Sequence, residues 1–240
     1  MRIGQVLQNR YQVVAKLGYG TSSTVWLSRD PINQKYWVLK VHINTIQRNQ
    51  ELNVYRHLSG FTMDHPGSEY VRQFQDSFKL KGPHGDHDVF VMTPLGMSLR
   101  TLQELQKDHI FQQSLTTTAL SQALLGLNYL HEANVIHTDL HSDNLLVAIT
   151  DDEILSTVEE NEIQKPSARK AIDGTIIYVS QYMLGGAGPL TICDLGQARI
   201  GLLAWDLLEK ESLFRVYDRD SQEQNDAYHD LLYRLSRLQL

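Results

Sequence analysis

Cysteine is almost absent from this chain of 240 residues, because Cys193 is the only one. A disulfide framework is therefore excluded. Lys and Arg number 22 against 28 Asp and Glu, and the net charge of -6 argues against a basic nucleic-acid-binding domain. No apolar run approaches the roughly 20 residues of a membrane helix, and residues 1–12 lack the apolar core of a secretory signal. The sequence predicts a soluble cytoplasmic or nuclear protein without direct contact to nucleic acid or membrane.

Internal repeats and low-complexity linkers are also lacking, and the residues that are present divide the chain in two. The first 95 residues hold short segments rich in β-branched and aromatic side chains, which predict strands at 11–17, 23–27, 36–41, 71–79 and 88–92 and one helix at 46–58. From Gly96 onward helices are predicted at 98–108 and 116–133, and strands at 145–149, 175–180 and 190–193. A β-rich part followed by an α-rich part predicts an α+β fold with two lobes.

Two of the later segments carry further expectations. The helix over 116–133 is apolar enough to be buried along one face, at Leu120, Ala123, Leu124, Leu127, Tyr129 and Leu130. Residues 151–162 carry six acidic side chains with no Lys or Arg before Lys165. Such a charge run is typical of a partly helical, solvated surface insertion.

Gly18 and Gly20 lie between two predicted strands, in the stretch LGYGTSSTV at positions 17–25. The stretch fits G-x-G-x-x-G-x-V except that Ser23 replaces the third glycine. Glycines allow backbone amides to approach phosphate oxygens closely, although an ordinary hairpin turn fits the same residues. The strand–turn–strand setting argues against the dinucleotide-binding fold, in which a helix follows the glycines.

Lys40 closes the strand pattern WVLK, and Glu51 falls on the helix that follows. A lysine in that place is ordinarily a solvated edge residue. An ion pair with Glu51 would instead hold the ammonium in position against phosphate oxygens.

The strongest local signal is the stretch HTDLHSDN at positions 137–144, which fits H-x-D-x-x-x-x-N. Further along the chain, an apolar strand ends in Asp194-Leu195-Gly196. One carboxylate of this set can accept a hydroxyl proton, while Asn144 and Asp194 provide the hard oxygen ligands that magnesium prefers. Their order along the chain, with the glycines and Lys40 upstream, argues against chance.

Together these motifs resemble those of the eukaryotic protein kinases. The finer resemblance is to the SR-protein kinases, in particular the fungal ones, through GTSSTVWL (20–27), PLGMSL (94–99), VIHTDL (135–140) and DLGQAR (194–199). It extends over nearly all of residues 9–215. The resemblance implies a bilobal kinase-like fold with a β-rich N-lobe over residues 1–95. An incomplete helical C-lobe would follow over residues 96–240, with an insertion at about 148–189.

The resemblance also implies ATP and Mg²⁺ as cofactors and assigns the residues that hold them. The residues implied to contact ATP are Gly18, Gly20, Val25, Lys40, the gatekeeper Met92, and the hinge residues Thr93 and Leu95. Glu51 would pair with Lys40, Asp139 would be the catalytic base, and Asn144 and Asp194 would bind magnesium. The implied reaction transfers the γ-phosphoryl group to Ser or Thr hydroxyls of protein substrates, and the finer resemblance implies Arg/Ser-rich proteins among them.

Two departures fall in the catalytic loop. Thr138 replaces the arginine that would receive a phosphorylated activation loop, a feature that SR-protein kinases share and that implies activity without such phosphorylation. His141 stands where many of these enzymes place a lysine that neutralises the transferring phosphate. A neutral imidazole donates one hydrogen bond and carries no full charge near pH 7, although a tolerated family variant explains His141 equally well.

The third departure is a segment that the chain lacks. Only residues 197–201 separate Gly196 from the apolar run LLAWDLLE at 202–209, which resembles the second half of a long C-lobe helix. Five extended residues reach about 18 Å at most, too short for an activation segment and its peptide-docking platform. The sequence therefore predicts a kinase without that segment and without the later C-lobe helices, through truncation, alternative splicing or a faulty gene model.

Two other functions stay open at this stage. A pseudokinase-like module that binds nucleotide or partners needs the ATP-side residues and no peptide platform. A small-molecule kinase of the aminoglycoside-phosphotransferase type shares the catalytic loop pattern but fits the stretches at 25–27 and 94–96 poorly.

Overall fold

A six-stranded antiparallel sheet dominates the first part of the chain. The structure, a computed structural model, describes residues 1–44, 49–83, 85–172 and 175–201. The strands run in the order β1-β2-β3-β4-β6-β5. They are β1 (Val6–Leu7), β2 (Tyr11–Tyr19), β3 (Ser23–Asp30), β4 (Lys35–His42), β5 (Phe74–Gly82) and β6 (Gly85–Met92). The predicted β-rich part is therefore confirmed.

The two faces of this sheet follow from the alternation of side chains along each strand. In β4, Trp37 and Leu39 point to one face and Lys40 and His42 alternate with them. The first face forms a core cluster of nine buried side chains. Its members are Leu7, Tyr11, Val13, Trp26, Trp37, Leu39, Val89, Val91 and Tyr178.

A helix, α1 (Gln50–Ser59), packs beside the sheet. It begins at Gln50 because the Asn49 side chain accepts a hydrogen bond from the Leu52 amide, as an N-cap residue does. Its inner face buries Val54, Tyr55 and Leu58 in a second core cluster, which also contains Met92 and Ile192. The predicted helix over 46–58 is confirmed in that part, whereas residues 45–48 lie outside the described residues.

Outside the insertion, the described residues that follow the large sheet form two α-helices and two small sheets. The helices are α2 (Leu99–Glu104) and α3 (Gln113–Glu132). One sheet has the order β12-β9-β7 and the other pairs β13 with β8. Their strands are β7 (Leu95–Ser98), β8 (Val135–Ile136), β9 (Leu145–Ala148), β12 (Leu190–Ile192) and β13 (Arg199–Ile200). Across the parts of the chain that the structure describes, no helix combines the length and apolarity needed to cross a bilayer.

Some predicted boundaries are wrong, each for a local reason. The strand expected from 71 begins at Phe74, because Val71 instead forms an isolated bridge to Ile192. The helix expected over 98–108 ends at Glu104, and Asp108 adopts the left-handed conformation that interrupts a helix. The buried face expected on α3 is also only partly right, because Leu120 is 58% and Leu124 37% exposed.

The acidic insertion is partly helical, as predicted, but it is not a purely solvated surface segment, because one face of its helix is buried against the large sheet. It contains α4 (Glu153–Gln164) and a hairpin of β10 (Arg169–Ile172) and β11 (Thr175–Tyr178). Leu155 and Val158 of α4 are buried in a cluster with Leu27 of the large sheet. The sequence pattern did not reveal this apolar face, because the acidic side chains of the segment outnumber the two buried apolar ones.

The β11 end of the insertion is fixed to β2 as well. The Lys16 ammonium donates to the Tyr178 carbonyl at 3.1 Å, and the Gln181 amide donates to the Lys16 carbonyl at 2.7 Å. The Tyr178 ring lies edge-on to Trp26, with centroids 5.8 Å apart. Two separate parts of the insertion thus hold the strands on either side of the glycine turn.

We predict that Leu155→Ala lowers the free energy of unfolding by about 2–5 kcal/mol, because it opens a cavity between α4 and the sheet. Ile163→Ala on the same helix is the matched control, since Ile163 is 73% and Leu155 2% exposed. Denaturant unfolding of the full chain measures both. Equal, small effects of the two substitutions would contradict the packing described.

Candidate active site

One ammonium group, on the central strand β4, joins three separate elements. Lys40 Nζ of β4 donates to Glu51 Oε1 at 2.9 Å and to Glu51 Oε2 at 2.7 Å. It also donates to Asp194 Oδ1 at 3.0 Å. Sequence reasoning placed these three residues in one site, and the structure brings them together.

The charges of this cluster support one another. Burial alone would lower the pKa of Lys40, but the two carboxylates outweigh it and raise that pKa above its ordinary value. Burial alone would raise the pKa of Glu51 and of Asp194, but Lys40 outweighs it and holds both below their ordinary values. All three groups are therefore charged near neutral pH.

The glycine turn is joined to Lys40 through strand register. Gly18 of β2 lies opposite Val25 of β3, and Val25 lies opposite Lys40 of β4. A Cβ atom added at Gly18 or Gly20 would meet no atom within 4 Å, so the space beside the turn is open. The predicted residues Gly18, Gly20 and Val25 therefore line one path to the Lys40 ammonium.

The predicted hinge runs between the large sheet and the first strand of the three-stranded one. Met92 ends β6 with 1% exposure, and Leu95 begins β7 with 6% exposure. Thr93 lies between them, and its carbonyl accepts a hydrogen bond from Arg72 Nη2 at 3.2 Å. Arg72 also donates its backbone amide to the Ile192 carbonyl at 2.9 Å, so it fastens the hinge to β12.

Strand pairing brings Asn144 and Asp194 to the same edge. Leu145 of β9 lies opposite Ile192 of β12, and the Cys193 amide donates to the Asn144 carbonyl at 2.8 Å. Asp194 adopts the left-handed conformation, with φ 59° and ψ 72°, and its side chain is 51% exposed. The turn at Asp194 thereby leaves its carboxylate accessible at the end of a buried strand.

The predicted catalytic loop presents Asp139, whose side chain is 47% exposed. Asn144 Nδ2 donates to the Asp139 carbonyl at 2.9 Å, which fixes the amide and directs its Oδ1 oxygen away from that contact. His141 is 48% exposed and places Nε2 3.9 Å from Asp139 Oδ1 and 3.0 Å from Asn144 Nδ2. The three predicted residues of this loop are therefore neighbours.

Two residues beside Asp139 fasten the loop to the segment that contains Asp194. Buried His137 uses Nε2 to donate to the Cys193 carbonyl at 2.9 Å, while its Nδ1 accepts from the Asp139 amide at 3.3 Å. Thr138 has φ 61°, which is unfavourable for a β-branched residue. Its hydroxyl donates to the Gln197 carbonyl at 2.8 Å, a contact that accounts for the residue without any phosphorylated partner.

Sequence reasoning missed His42 and Gln50, two further residues around the Lys40 cluster. His42 Nε2 lies 3.2 Å from Glu51 Oε2, and Gln50 Nε2 donates to the Ala198 carbonyl at 2.9 Å. A signal for His42 was present, because residues two apart on a strand share a face and His42 follows Lys40 by two. Gln50 carries no such signal, since its partner lies far along the chain.

The residues present fit a magnesium-bound nucleotide. An amide oxygen of Asn144 and the carboxylate of Asp194 are hard donors of the kind that magnesium takes together with phosphate oxygens and water. The open space beside Gly18 and Gly20 would accept phosphates next to Lys40. The apolar run predicted at 202–209, and with it the end of the predicted C-lobe, lies outside the described residues.

A family model of the protein kinase domain matches residues 11–235 of the chain. A serine/threonine protein kinase of Aspergillus fumigatus is 38% identical over 207 residues, which are 84% of this chain and 50% of that protein. Serine/threonine-protein kinase SKY1 of Saccharomyces cerevisiae is 32% identical over 67% of this chain and 23% of its own. SRSF protein kinase 3 of Sus scrofa is 30% identical over 78% of this chain and 34% of its own. The chain thus spans half or less of the length of these relatives.

Solved structures show the same architecture. The crystal structure of the PF14_0431 kinase domain matches with a TM-score of 0.59 and covers 84% of this chain and 55% of that one. Its sequence identity is 22%, so this likeness concerns the fold alone.

We predict that Cys193, next to Asp194, resists alkylation in the folded chain. Burial raises the pKa of its thiol to about 11, so about one thiol in a thousand is ionised at pH 8. Iodoacetamide should therefore label the native protein far more slowly than the same protein in denaturant. Mass spectrometry of the intact protein over time measures both labelling rates. Equal labelling rates in both states would contradict the buried position of this strand end.

Proposed function

Because this chain belongs to the protein kinase family, we propose that it binds Mg-ATP and transfers the γ-phosphoryl group to Ser or Thr hydroxyls of proteins. The observation that carries the proposal is the Lys40 ammonium, 2.7 Å from Glu51 Oε2 and 3.0 Å from Asp194 Oδ1. An ammonium held between two carboxylates is positioned for phosphate oxygens. In this proposal residues 1–95 form the N-lobe and the C-lobe begins at residue 96.

The nucleotide lies between the glycine turn and the hinge in this proposal. Gly18, Gly20 and Val25 cover the phosphates, and Met92, Thr93 and Leu95 face the base. Lys40 orients the α- and β-phosphates, while Asn144 and Asp194 hold the magnesium ion. When bound, Mg-ATP supplies the phosphoryl group and the charge that neutralises its oxygens.

Asp139 is the base that accepts the proton of the substrate hydroxyl. The Asp139 side chain is about half exposed, so it is accessible. Asn144 Nδ2 lies 3.5 Å from Asp139 Oδ2 and orients the carboxylate. His141 occupies the position where a lysine is expected, and its Nε2 lies 3.9 Å from Asp139 Oδ1 and 3.0 Å from Asn144 Nδ2. Its imidazole can offer a hydrogen bond to a phosphate oxygen in place of a full positive charge.

Arg/Ser-rich proteins are the substrate class that we propose. The support comes from the SR-protein kinase resemblance and from the printed name of SRSF protein kinase 3, which is 30% identical over 194 residues. Thr138 supports activity independent of phosphorylation in the same way, because an uncharged hydroxyl takes the place of the expected arginine and donates directly to the Gln197 carbonyl.

A second candidate function is nucleotide binding without efficient peptide phosphorylation. The observation that favours it is the spacing after Asp194, where five residues separate Gly196 from the apolar run at 202. Phosphoryl transfer needs the acceptor hydroxyl within about 3–3.5 Å of the phosphorus. A chain without a docking segment would hold Mg-ATP and leave the peptide unpositioned.

We predict that Mg-ATP raises the unfolding free energy by about 2.7 kcal/mol at a hundredfold excess over its dissociation constant. Lys40→Met and Asp194→Asn should remove most of this stabilisation, because each deletes a charge that faces the phosphates or the metal. Lys35→Met on the same strand is the matched control, since Lys35 Nζ lies over the Trp37 ring at 4.5 Å instead. Thermal unfolding with and without Mg-ATP measures the shift, and a folded wild-type chain without any shift would exclude nucleotide binding.

We predict that the chain phosphorylates Arg/Ser peptides at least about a hundredfold more slowly than a version that carries a relative's activation segment between Gly201 and Leu202. Asp139→Asn should abolish transfer in the extended version, whereas Asp143→Asn in the same loop is the control. A radiolabel assay compares all four proteins. If the unextended chain equals the extended one, the second candidate function is wrong and other residues of the chain position the peptide.

A further inference from the structure

We propose that His42 is a positioning residue that holds the Glu51 carboxylate where Lys40 needs it. The inference rests on the proposed binding of Mg-ATP and adds a residue to it that no motif contains. His42 and Lys40 lie two residues apart on β4, so both side chains face α1 and both reach the same carboxylate.

The His42 ring is fixed in one place. Its side chain is 4% exposed, and its centroid lies 4.4 Å from that of Phe90. Nε2 lies 3.2 Å from Glu51 Oε2, and Nδ1 lies 3.4 Å from the Asp88 carbonyl. Both partners of the ring accept hydrogen bonds, and an N–H gains more at the shorter contact, which is to the charged carboxylate. The geometry therefore assigns the proton to Nε2.

The donor count at Lys40 explains why a second donor is needed. An ammonium has three N–H groups, and here they serve Glu51 Oε1, Glu51 Oε2 and Asp194 Oδ1. If a phosphate oxygen accepts a hydrogen bond from the Lys40 ammonium, one of these three oxygens must lose its own. Glu51 is 3% exposed, so water does not replace the lost contact. His42 keeps a donor on Oε2 while Lys40 turns toward the nucleotide.

The other polar groups near His42 are engaged elsewhere. Asp88 presents its carbonyl to the ring, while its carboxylate lies 2.6 Å from Lys79 Nζ. His87 Nδ1 contacts the His42 backbone carbonyl at 2.8 Å and not its ring. Within the described residues, the charged side chain that the ring itself contacts is therefore Glu51.

The test compares three variants of the full chain. His42→Leu removes the donor, His42→Gln keeps an N–H, and Val89→Ala is a stability control. Val89 is fully buried on β6 and belongs to the cluster on the other face of the sheet. We expect His42→Leu to weaken Mg-ATP binding about tenfold, the size of a hydrogen bond to a charged group. His42→Gln should recover affinity to within about threefold of wild type, and Val89→Ala should leave it unchanged.

A second arm needs no nucleotide. In a double-mutant cycle of His42→Leu with Glu51→Gln, unfolding of the double variant should be less perturbed than the sum of the two single effects, because the two residues share one contact. Additive effects would overturn the proposal. The proposal would also be overturned if His42→Leu and Val89→Ala bound Mg-ATP with equal affinity, even when the cycle shows coupling. If the wild-type chain binds no Mg-ATP, the proposed function fails and the cycle alone decides the role of His42.

Discussion

The structure depends on the three hydrogen bonds of a single ammonium. Lys40 joins the central strand β4, the helix α1 and the turn after β12 through Glu51 and Asp194, which lie 11 and 154 residues away in the chain. Two carboxylates this close to each other are tolerated because the cation lies between them. Loss of Lys40 would leave a buried carboxylate without its main partner, a change that costs more than the ion pair itself contributes. The elements around the site are therefore arranged so that this one contact forms.

Each of those elements is fixed by its own local chemistry. The Asn49 cap determines where α1 begins and so which residue of its first turn faces β4. Pairing of β9 with β12 brings Asn144 beside Cys193, and the left-handed backbone of Asp194 then exposes its carboxylate. His137 and Thr138 hold the catalytic loop to the same segment from the other side. The short distances between the side chains of the site thus result from several local contacts, each of ordinary strength.

The sequence predicted β2 to β6 of the large sheet, because period-2 alternation is a local signal, but it did not predict the short β1. The kinase resemblance implied one site for the motif residues; Lys40, Glu51 and Asp194 are in contact, and Asp139 and Asn144 are neighbours in their own loop. The sequence did not predict that the insertion packs against the large sheet. The apolar side chains Leu155 and Val158 lie among acidic neighbours, and their partner Leu27 is more than 120 residues away. Nor did it predict the exposure of Leu120 on α3. An apolar helix face predicts burial, but only the tertiary structure determines which residues, if any, pack against it.

The insertion connects the strands beside the glycine turn with the strands that lie next to Asn144 and Asp194. It starts after the last residue of β9 and ends before the first residue of β12, whereas Asn144 and Asp194 lie at the other ends of these two strands. Between those ends, α4 packs against Leu27 and the Tyr178 region holds Lys16, so β2 and β3 are clamped on both sides of the glycine turn. A rigid connection of this kind lowers the freedom of the turn relative to Lys40, and pre-organised groups lose less entropy on binding. If the proposed nucleotide site is right, the described residues between Asn144 and Asp194 would support it through packing, without providing the functional groups proposed for it.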